Sequence, residues 1–360
     1  PAMRFDPEQP LGDRFRDTIT AVLITFADQQ QVVFDQIGAE VQPLFDQARS
    51  LIGGGKRFRP AFCYWGYAAV AGQPEPADPV LVAAASLDLL HVSALVHDDV
   101  IDDSDTRRGD PAAHLLIAEL HRQAGWRGSS ERFGRAGAIL LGDLLLIWSA
   151  QLWAASGFDQ QALRRARPAL DAVRAEVTLG QYLDIIAQHA ETSLDRSRRV
   201  NEFKSARYTV ARPAQVGALL AGAEPDLVDA LGRFGSCLGR AFQMRDDLLG
   251  VYGDVSVTGK PAGDDIREGK QTVLVAYALE QASPAAAARL AGLLGDPDLD
   301  PAGVATARQI IDESGAVRRV EADIATDHAQ AMAALAAARL DSDARIALDA
   351  LGRLAVTRDA

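Results

Sequence analysis

Apolar residues recur along most of the chain at the spacing of a helix, and runs of strand-forming residues are scarce. The segments 82–103, 136–155 and 228–250 are apolar on nearly every face. This pattern predicts helices at the centre of a bundle, with neighbouring helices covering them. The segments 13–36 and 315–355 are more amphipathic and are predicted to form an outer layer. We therefore expect an all-α fold, built as a single large bundle of antiparallel helices.

Glycine and proline interrupt this pattern without leaving a long linker. The breaks fall at 53–55, 72–79, 107–111, 125–130, 222–225 and 253–263. We therefore expect one domain that spans residues 1–360. The stretch Gln123 to Arg132, which contains Trp126, is predicted to be an exposed excursion between two helices.

The composition is that of a globular protein with a large core. Of the 360 residues, 48% are hydrophobic and 24% are charged. The net charge is −12 and the basic residues are scattered, which argues against general binding to nucleic acid or anionic membranes. Cys63 and Cys237 lie in apolar surroundings and are expected to be reduced. Residues 1–3 resemble an expression scar, no apolar signal core follows them, and we expect a cytoplasmic protein.

The stretch Pro79 to Val96 is nearly long enough to cross a membrane. Asp88 and His91 interrupt it, and carboxylates follow at once, which is costly inside a bilayer. The pattern favours a buried helix, and no transmembrane segment is expected.

An acidic cluster follows that apolar run. Asp98 and Asp102 are four residues apart, so a helix places them on one face, with Asp99 on the flank. Like charges so placed repel each other unless a cation lies between them. Magnesium suits the spacing, because it takes one or two carboxylates and shares its remaining positions with substrate phosphates. Taken alone, however, the cluster is more typical of a solvated helix end.

A second apolar helix leads into paired acids at Asp246 and Asp247. Two such helix ends facing each other across a bundle would hold several cations over one cavity. The coincidence of both clusters favours a metal site over two solvated helix ends.

Three basic groups accompany glycine and could supply contacts to an anion. They are Gly54-Gly55-Lys56-Arg57-Phe58-Arg59-Pro60, then Thr106-Arg107-Arg108-Gly109, and then Thr258-Gly259-Lys260 with Gly269-Lys270. Glycine lets a phosphate approach the backbone closely, while Lys and Arg donate hydrogen bonds to its oxygens. Each group alone is also typical of an exposed turn, but with the carboxylates they indicate a diphosphate site.

In their order along the chain, these motifs resemble those of the trans-polyprenyl diphosphate synthase family. The resemblance rests on Gly-Gly-Lys-x-x-Arg-Pro, His-Asp-Asp-x-x-Asp with Arg-Arg-Gly, Gly-Gln-x-x-Asp at 180–184, Lys-Ser-Ala at 204–206, and Gln-x-x-Asp-Asp at 243–247. It covers Gly53 to Leu274 and, more weakly, Glu313 to Ala316. It implies an isoprenoid synthase fold with a central cavity, and a homodimer.

The resemblance also implies a reaction and its site. An allylic diphosphate ionises, and the allylic cation alkylates the double bond of isopentenyl diphosphate. A proton is then lost to the departing diphosphate. Three magnesium ions are implied, two on Asp98 and Asp102 with Asp99 in support, and one on Asp246 with Asp247 nearby. The implied contacts to the allylic diphosphate are Arg107, Lys204, Ser205, Gln243, Lys260 and Lys270.

Two further sets of residues follow from the resemblance. Gln181 and Thr209 match positions that direct dipoles at the cation. The implied pocket for isopentenyl diphosphate comprises Gly55, Lys56, Arg59, His91 and Arg108. His91 lies two turns before Asp98 on the same face. His97 lies off that face and is predicted to be structural or to support a residue that binds a ligand.

Product length depends on the helix that leads into Asp98, because a growing chain would extend along its face. Ser93 and Ala94 are small there, and Leu90 is the next candidate floor. We expect a product of twenty carbons or more. Gly250 stands where many family members have a third aspartate, which leaves the second cluster one potential ligand short.

Two alternatives remain open. A class I terpene cyclase shares the fold and the first aspartate cluster but has no use for a second diphosphate pocket. A regulatory subunit of a heteromeric synthase usually lacks aspartates of the first cluster, whereas this chain keeps all three.

Overall fold

A computed structural model describes residues 4–75, 77–253 and 263–357, and helices account for nearly all regular structure in these ranges. The first helices are α1 (Asp13–Ile37), α2 (Gln42–Gly53), α3 (Phe58–Ala71) and α4 (Asp78–Ile101). A hairpin of two short strands follows, β1 (Thr106–Arg107) and β2 (Asp110–Pro111). The all-α prediction is confirmed.

After the hairpin come α5 (Ala113–Gln123), α6 (Ser130–Ala154), α7 (Gln160–His189) and α8 (Leu194–Val200). A π-helix (Asn201–Ala211) leads into α9 (Arg212–Leu220) and α10 (Pro225–Tyr252). The remaining helices are α11 (Asp264–Arg267), α12 (Val273–Gln281), α13 (Pro284–Leu293), α14 (Pro301–Ser314), α15 (Ala316–Ala337) and α16 (Ser342–Val356).

Local sequence explains where several helices begin. Asp78 and Pro79 open α4, where the fixed φ of proline and a carboxylate near the helix dipole are both favourable. Ser129 caps α6 by accepting a hydrogen bond from the backbone N–H of Arg132, at 3.1 Å. The Ser129 cap marks the end of the excursion around Trp126, which lies between α5 and α6 and is exposed as predicted.

The chain divides into two compact units. Unit 1 comprises Pro1–Arg167, Val216–Ala223 and Asp341–Ala347. In it α4 packs against α1, α3 and α6. The interior is filled by fully buried side chains that include Phe15, Ile19, Leu23, Phe62, Trp65, Leu81, Leu87 and Leu89.

The contact between α4 and α6 is close and partly polar. The Ser93 hydroxyl donates to the carbonyl of Gly142 at 2.7 Å. The ring of His97 occupies the space where Gly142 lacks a side chain, and His97 Nε2 lies 3.1 Å from the carbonyl oxygen of Ile139. His97 therefore serves helix packing, as its position off the Asp98 face predicted.

Unit 2 comprises Pro168–Gln215, Glu224–Leu340 and Leu348–Ala360. Its long helix α10 packs against the π-helix and against α15. Gly235 and Gly239 of α10 make this possible, because a Cβ at Gly239 would lie 2.5 Å from the Cα of Ala206. The core continues through buried side chains that include Met244, Leu248, Val251, Leu274, Ile311 and Val320.

One sequence prediction needs correction. The segment 136–155 was predicted to be covered by neighbours, but within the single chain α6 exposes Ile139, Leu140, Leu146 and Ile147. An apolar sequence alone does not tell whether the covering surface belongs to the same chain. The segment 315–355 is two helices, α15 and α16, separated at 338–341.

Two helices, α4 and α6, are long and apolar enough to cross a membrane. The apolar window of α4 is 72% buried within the protein, and that of α6 is 44% buried. Burial of this degree is typical of a core helix, which is what the sequence predicted for 79–96.

Candidate active site

The first acidic cluster lies at the C-terminal end of α4. Asp98 belongs to the last turn, and Asp102 caps the helix by donating its backbone N–H to the carbonyl of Asp98 at 2.8 Å. The two carboxylates are therefore one helical turn apart, as predicted. Asp99 points into the protein and is only 2% exposed.

Arg107 forms ion pairs with two carboxylates of the cluster, Asp98 and Asp99. Its Nε lies 3.0 and 3.1 Å from the two carboxylate oxygens of Asp99, and its Nη2 lies 3.8 Å from Asp98 Oδ2. Arg107 belongs to the hairpin, whose two turn residues, Arg108 and Gly109, both have positive φ. This is the geometry of a type I′ turn, which fixes where both arginines stand.

The glycine-rich loop after α2 lies against Arg108. Nη1 of Arg108 donates to the carbonyl of Leu51 at 3.3 Å. A Cβ at Gly54 would lie 3.0 Å from Nη1 of Arg108, and one at Gly55 would lie 3.1 Å from Nη2. The guanidinium of Arg108 therefore has room only because Gly54 and Gly55 carry no side chains. Gly55 has φ 123°, which also favours glycine.

His91 lies one helical turn after Asp88 on α4, within the electrostatic reach of several arginines. Burial, together with the positive charges of Arg59, Arg108, Arg107 and Arg57, holds its pKa well below the ordinary value. His91 is therefore neutral at pH 7 and presents one hydrogen-bond donor and one acceptor. A concentration of cations around a neutral polar side chain suits an anionic ligand.

A buried ion pair that the sequence does not predict lies on the same helix as His91. Arg57, which is 2% exposed, pairs with Asp88 of α4, which is 3% exposed. Asp88 was noticed only as a polar interruption of an apolar run. The sequence offered one usable signal: a carboxylate on an all-round apolar helix needs a buried partner.

In unit 2, Lys204 lies on the π-helix and pairs with Asp184 of α7, at 2.6 Å between Nζ and Oδ2. Thr209 is buried on the same π-helix. Gly180 lets α7 approach it, because a Cβ there would lie 2.5 Å from the backbone nitrogen of Lys204. Gln181 follows directly, and among the described residues its buried Nε2 finds no hydrogen-bond partner. A buried amide of this kind is suited to a ligand.

Ion pairs fix the π-helix on both sides. Arg207 pairs with Glu202 at 2.8 Å and with Glu176 of α7 at 3.1 Å. Arg240 of α10 also reaches Glu202, at 3.0 Å. π-helical segments often occur at functional sites, and this one carries three predicted ligands, Lys204, Ser205 and Thr209.

The second acidic pair does not end its helix, because α10 continues to Tyr252. Gln243 donates to Oδ1 of Asp247 at 2.8 Å, as its predicted orienting role requires. Burial raises the pKa of Asp247 to about 8, with further contributions from the charges of Asp265 and Asp246. In the absence of a bound cation, Asp247 therefore favours its neutral form at pH 7.

The structure explains why residue 250 is glycine. A Cβ at this position would overlap the carboxylate of Asp265, which comes from α11. Asp265 in turn pairs with Lys270, at 3.0 Å from Oδ1 to Nζ, and Glu268 pairs with Lys270 at 2.8 Å. Burial would lower the pKa of Lys270, but Asp265 and Glu268 hold it well above the ordinary value. Lys270 was predicted to contact a diphosphate, and here its charge is engaged by two carboxylates.

The three predicted chain-length residues differ in exposure. Ser93 and Leu90 are 2% and 4% exposed, and Ser93 is engaged with α6. Ala94 is only partly buried. Of the remaining predicted ligands, Lys56 is exposed and Arg59 partly buried, whereas Lys260 lies outside the described residues.

The donor set fits magnesium that shares its shell with a phosphate. Asp98 and Asp102 supply hard oxygen ligands one turn apart. Within the described ranges, no three His, Cys, Asp or Glu side chains lie close enough to hold a metal by themselves.

Comparison with known proteins decides the family. Residues 41–311 match the family model of polyprenyl synthetase. The chain belongs to this family. It is a trans-prenyltransferase with the all-α isoprenoid synthase fold, as the sequence predicted.

Several members of the polyprenyl synthetase family resemble the chain over most of its length. A short chain isoprenyl diphosphate synthase from Methanothermobacter thermautotrophicus is 32% identical over 86% of this chain and 88% of its own. A nonaprenyl diphosphate synthase from Mycobacterium tuberculosis is 33% identical over 85% and 83%. A crystal structure of geranylgeranyl pyrophosphate synthase from Corynebacterium glutamicum, complexed with isoprenyl diphosphate and magnesium, is 41% identical. It has a TM-score of 0.93 and covers 96% of this chain and 99% of that one.

Proposed function

We propose that the chain condenses an allylic diphosphate with isopentenyl diphosphate to give a trans-polyprenyl diphosphate of twenty carbons or more. The observation that carries this proposal is the neighbourhood of Asp98 and Asp102 in unit 1. Two carboxylates one turn apart favour a cation, and the guanidinium groups of Arg107 and Arg108 favour an anion. A magnesium diphosphate satisfies both requirements. Relatives named as geranylgeranyl and nonaprenyl diphosphate synthases support the product length.

The allylic diphosphate binds to magnesium ions held by the acidic residues and directly to basic residues. Asp98 and Asp102 hold two magnesium ions, Asp246 holds a third, and Asp99 and Asp247 support them. When bound, the ions neutralise the charge of the leaving diphosphate. Arg107, Lys204 and Ser205, together with Lys260 outside the described residues, complete the grip on the phosphate oxygens. Lys270 supports the site through Asp265.

The allylic cation is stabilised by fixed dipoles. Gln181 and Thr209 direct their polar atoms at it, and the unsatisfied Nε2 of Gln181 supports a ligand at this place. Isopentenyl diphosphate occupies the neighbouring pocket of Gly55, Lys56, Arg59, His91 and Arg108. Neutral His91 donates one hydrogen bond without adding to the repulsion among the arginines.

We propose that both units act as one catalytic domain in a cytoplasmic homodimer. The family match runs through residues of both units, which supports a single domain. Phe133, Leu140 and Ile147 are exposed and recur every seven residues on α6, so they form one apolar stripe. An exposed apolar stripe of this length supports the proposal that α6 is buried against a second copy of the chain.

The test is an incubation of the purified protein with magnesium, isopentenyl diphosphate and each allylic primer in turn, followed by sizing of the products. Elongated trans products of twenty carbons or more support the proposal. A cyclic hydrocarbon from one diphosphate would identify a terpene cyclase. Absence of elongation with every primer would reject the proposed reaction.

A further inference from the structure

The guanidinium of Arg57 joins four helices at one buried point. Arg57 itself precedes α3, and its Nη1 pairs with Asp88 of α4. Its Nη2 donates to Thr20 Oγ1 of α1 at 2.9 Å and to the carbonyl of Ile52, in the last turn of α2, at 2.7 Å. Gly55 and Lys56, which directly precede this buried anchor, are exposed.

The backbone at Arg57 is also unusual. Its φ of 60° and ψ of 28° lie in the left-handed region, which a non-glycine residue occupies at an energetic cost. This residue lies between Lys56, which is exposed, and the first residues of α3, which include Arg59. The buried guanidinium contacts therefore maintain a conformation that the local sequence disfavours, and that conformation determines where Lys56 and Arg59 stand.

Asp88 also compensates charge. Arg57, Arg59, Arg107 and Arg108 all act on His91 with the same sign. Asp99 engages Arg107 and Asp88 engages Arg57, and Asp88 also acts favourably on Arg108. Without Asp88, the guanidinium of Arg57 would be a buried charge with no counterion beside a crowded cationic pocket.

We propose that Arg57 and Asp88 are positioning residues for the isopentenyl diphosphate pocket, an inference that rests on the proposed function. Neither touches the substrate. The pair holds the left-handed turn so that Lys56 and Arg59 stand in place beside Arg108 and His91. It acts on one of the two substrates only, because the allylic diphosphate is bound by other groups.

The test compares the KM values of the two substrates and the direct binding of isopentenyl diphosphate by calorimetry. Three variants are made: Asp88→Asn, Arg57→Lys, and the double variant Arg57→Met with Asp88→Leu, which removes both charges and fills the space. The control is Leu81→Ala, because Leu81 is equally buried on α4 but lies nearly three turns before His91. Leu81→Ala shows how far general destabilisation of α4 changes the two KM values.

We expect all three variants to raise the KM for isopentenyl diphosphate by about tenfold or more, with the KM for the allylic substrate changed less than about twofold. Calorimetry is expected to show the same weakening without turnover. The double variant keeps the test decisive if Asp88→Asn does not fold. Equal changes in both KM values, or an effect no larger than that of Leu81→Ala, would overturn the proposal. A wild-type protein that elongates no primer would instead reject the proposed function.

Discussion

Gly250 and Asp265 occupy complementary space: the carboxylate of Asp265 fills the position that a Cβ at residue 250 would take. The second acidic cluster lacks a third aspartate on α10 at that position, and a carboxylate from α11 lies there instead. The electrostatic influence of Asp265 on Asp247 is a second sign of this closeness.

Replacing Gly250 should therefore be costly. We expect Gly250→Ala to lower the free energy of unfolding by about 1–3 kcal/mol, because the carboxylate must move from a packed site. Urea unfolding measures the change. Gly292→Ala is the matched control, since Gly292 is also helical but has open space around it. There alanine should be neutral or stabilise by up to about 1 kcal/mol. Similar changes in the free energy of unfolding of both variants would show that a Cβ at residue 250 does not clash with the carboxylate of Asp265.

The depressed pKa of His91 predicts a pH dependence of stability. In the unfolded chain a histidine takes up a proton near pH 6.5, whereas folded His91 resists it to lower pH. Below pH 6.5 the unfolded state thus binds more protons, so stability falls as the pH falls. The contribution is up to about 1.4 kcal/mol per pH unit. Urea unfolding from pH 7.5 to 5.5 should therefore show a shallower loss for His91→Gln than for the wild type. Parallel curves would refute the assignment.

The small side chain of Ala94 leads to a prediction about product length. It is the least buried of the three small or medium residues on the α4 face, so a larger side chain there has room to project. We expect Ala94→Phe to shorten the product by about one isoprene unit or more, since one helical turn rises about 5.4 Å. Chromatographic sizing of the products measures this. Ala94→Ser is the control, and an unchanged product distribution in Ala94→Phe would exclude Ala94 as part of the floor.

The apolar stripe of α6 predicts the oligomeric state. Leu140 is 61% exposed in the single chain, and we expect Leu140→Glu to convert a dimer into monomers in analytical ultracentrifugation. Val32 of α1 is similarly exposed, at 56%, and provides the control. If Val32→Glu dissociates the protein and Leu140→Glu does not, the interface lies elsewhere.

Much of the site was predictable because its signals are local. The spacing of Asp98 and Asp102 fixes their common face once the run before them is helical. The all-round apolar segments gave α4 and α10 within a few residues.

Other features depend on contacts between distant parts of the chain. Arg57 and Asp88 are 31 residues apart, and nothing in either segment identifies the partner. The place of Asp265 beside Gly250 depends on how the chain returns to α10. The π-helix (Asn201–Ala211) is too short for its wider period to be distinguished from an α-helical pattern.

In the proposed reaction, the carboxylates at the end of α4 bind the diphosphate through magnesium. The most direct measurement is the elongation rate of the wild type, Asp102→Asn and Asp103→Asn across a magnesium titration. Asp103 is the next residue, but it is exposed and pairs with Arg135 at 2.8 Å. We expect Asp102→Asn to lose activity by about 100-fold or more and to require more magnesium, while Asp103→Asn stays close to the wild type. Equal activity and equal magnesium dependence in all three proteins would show that Asp102 does not bind the magnesium used in the reaction.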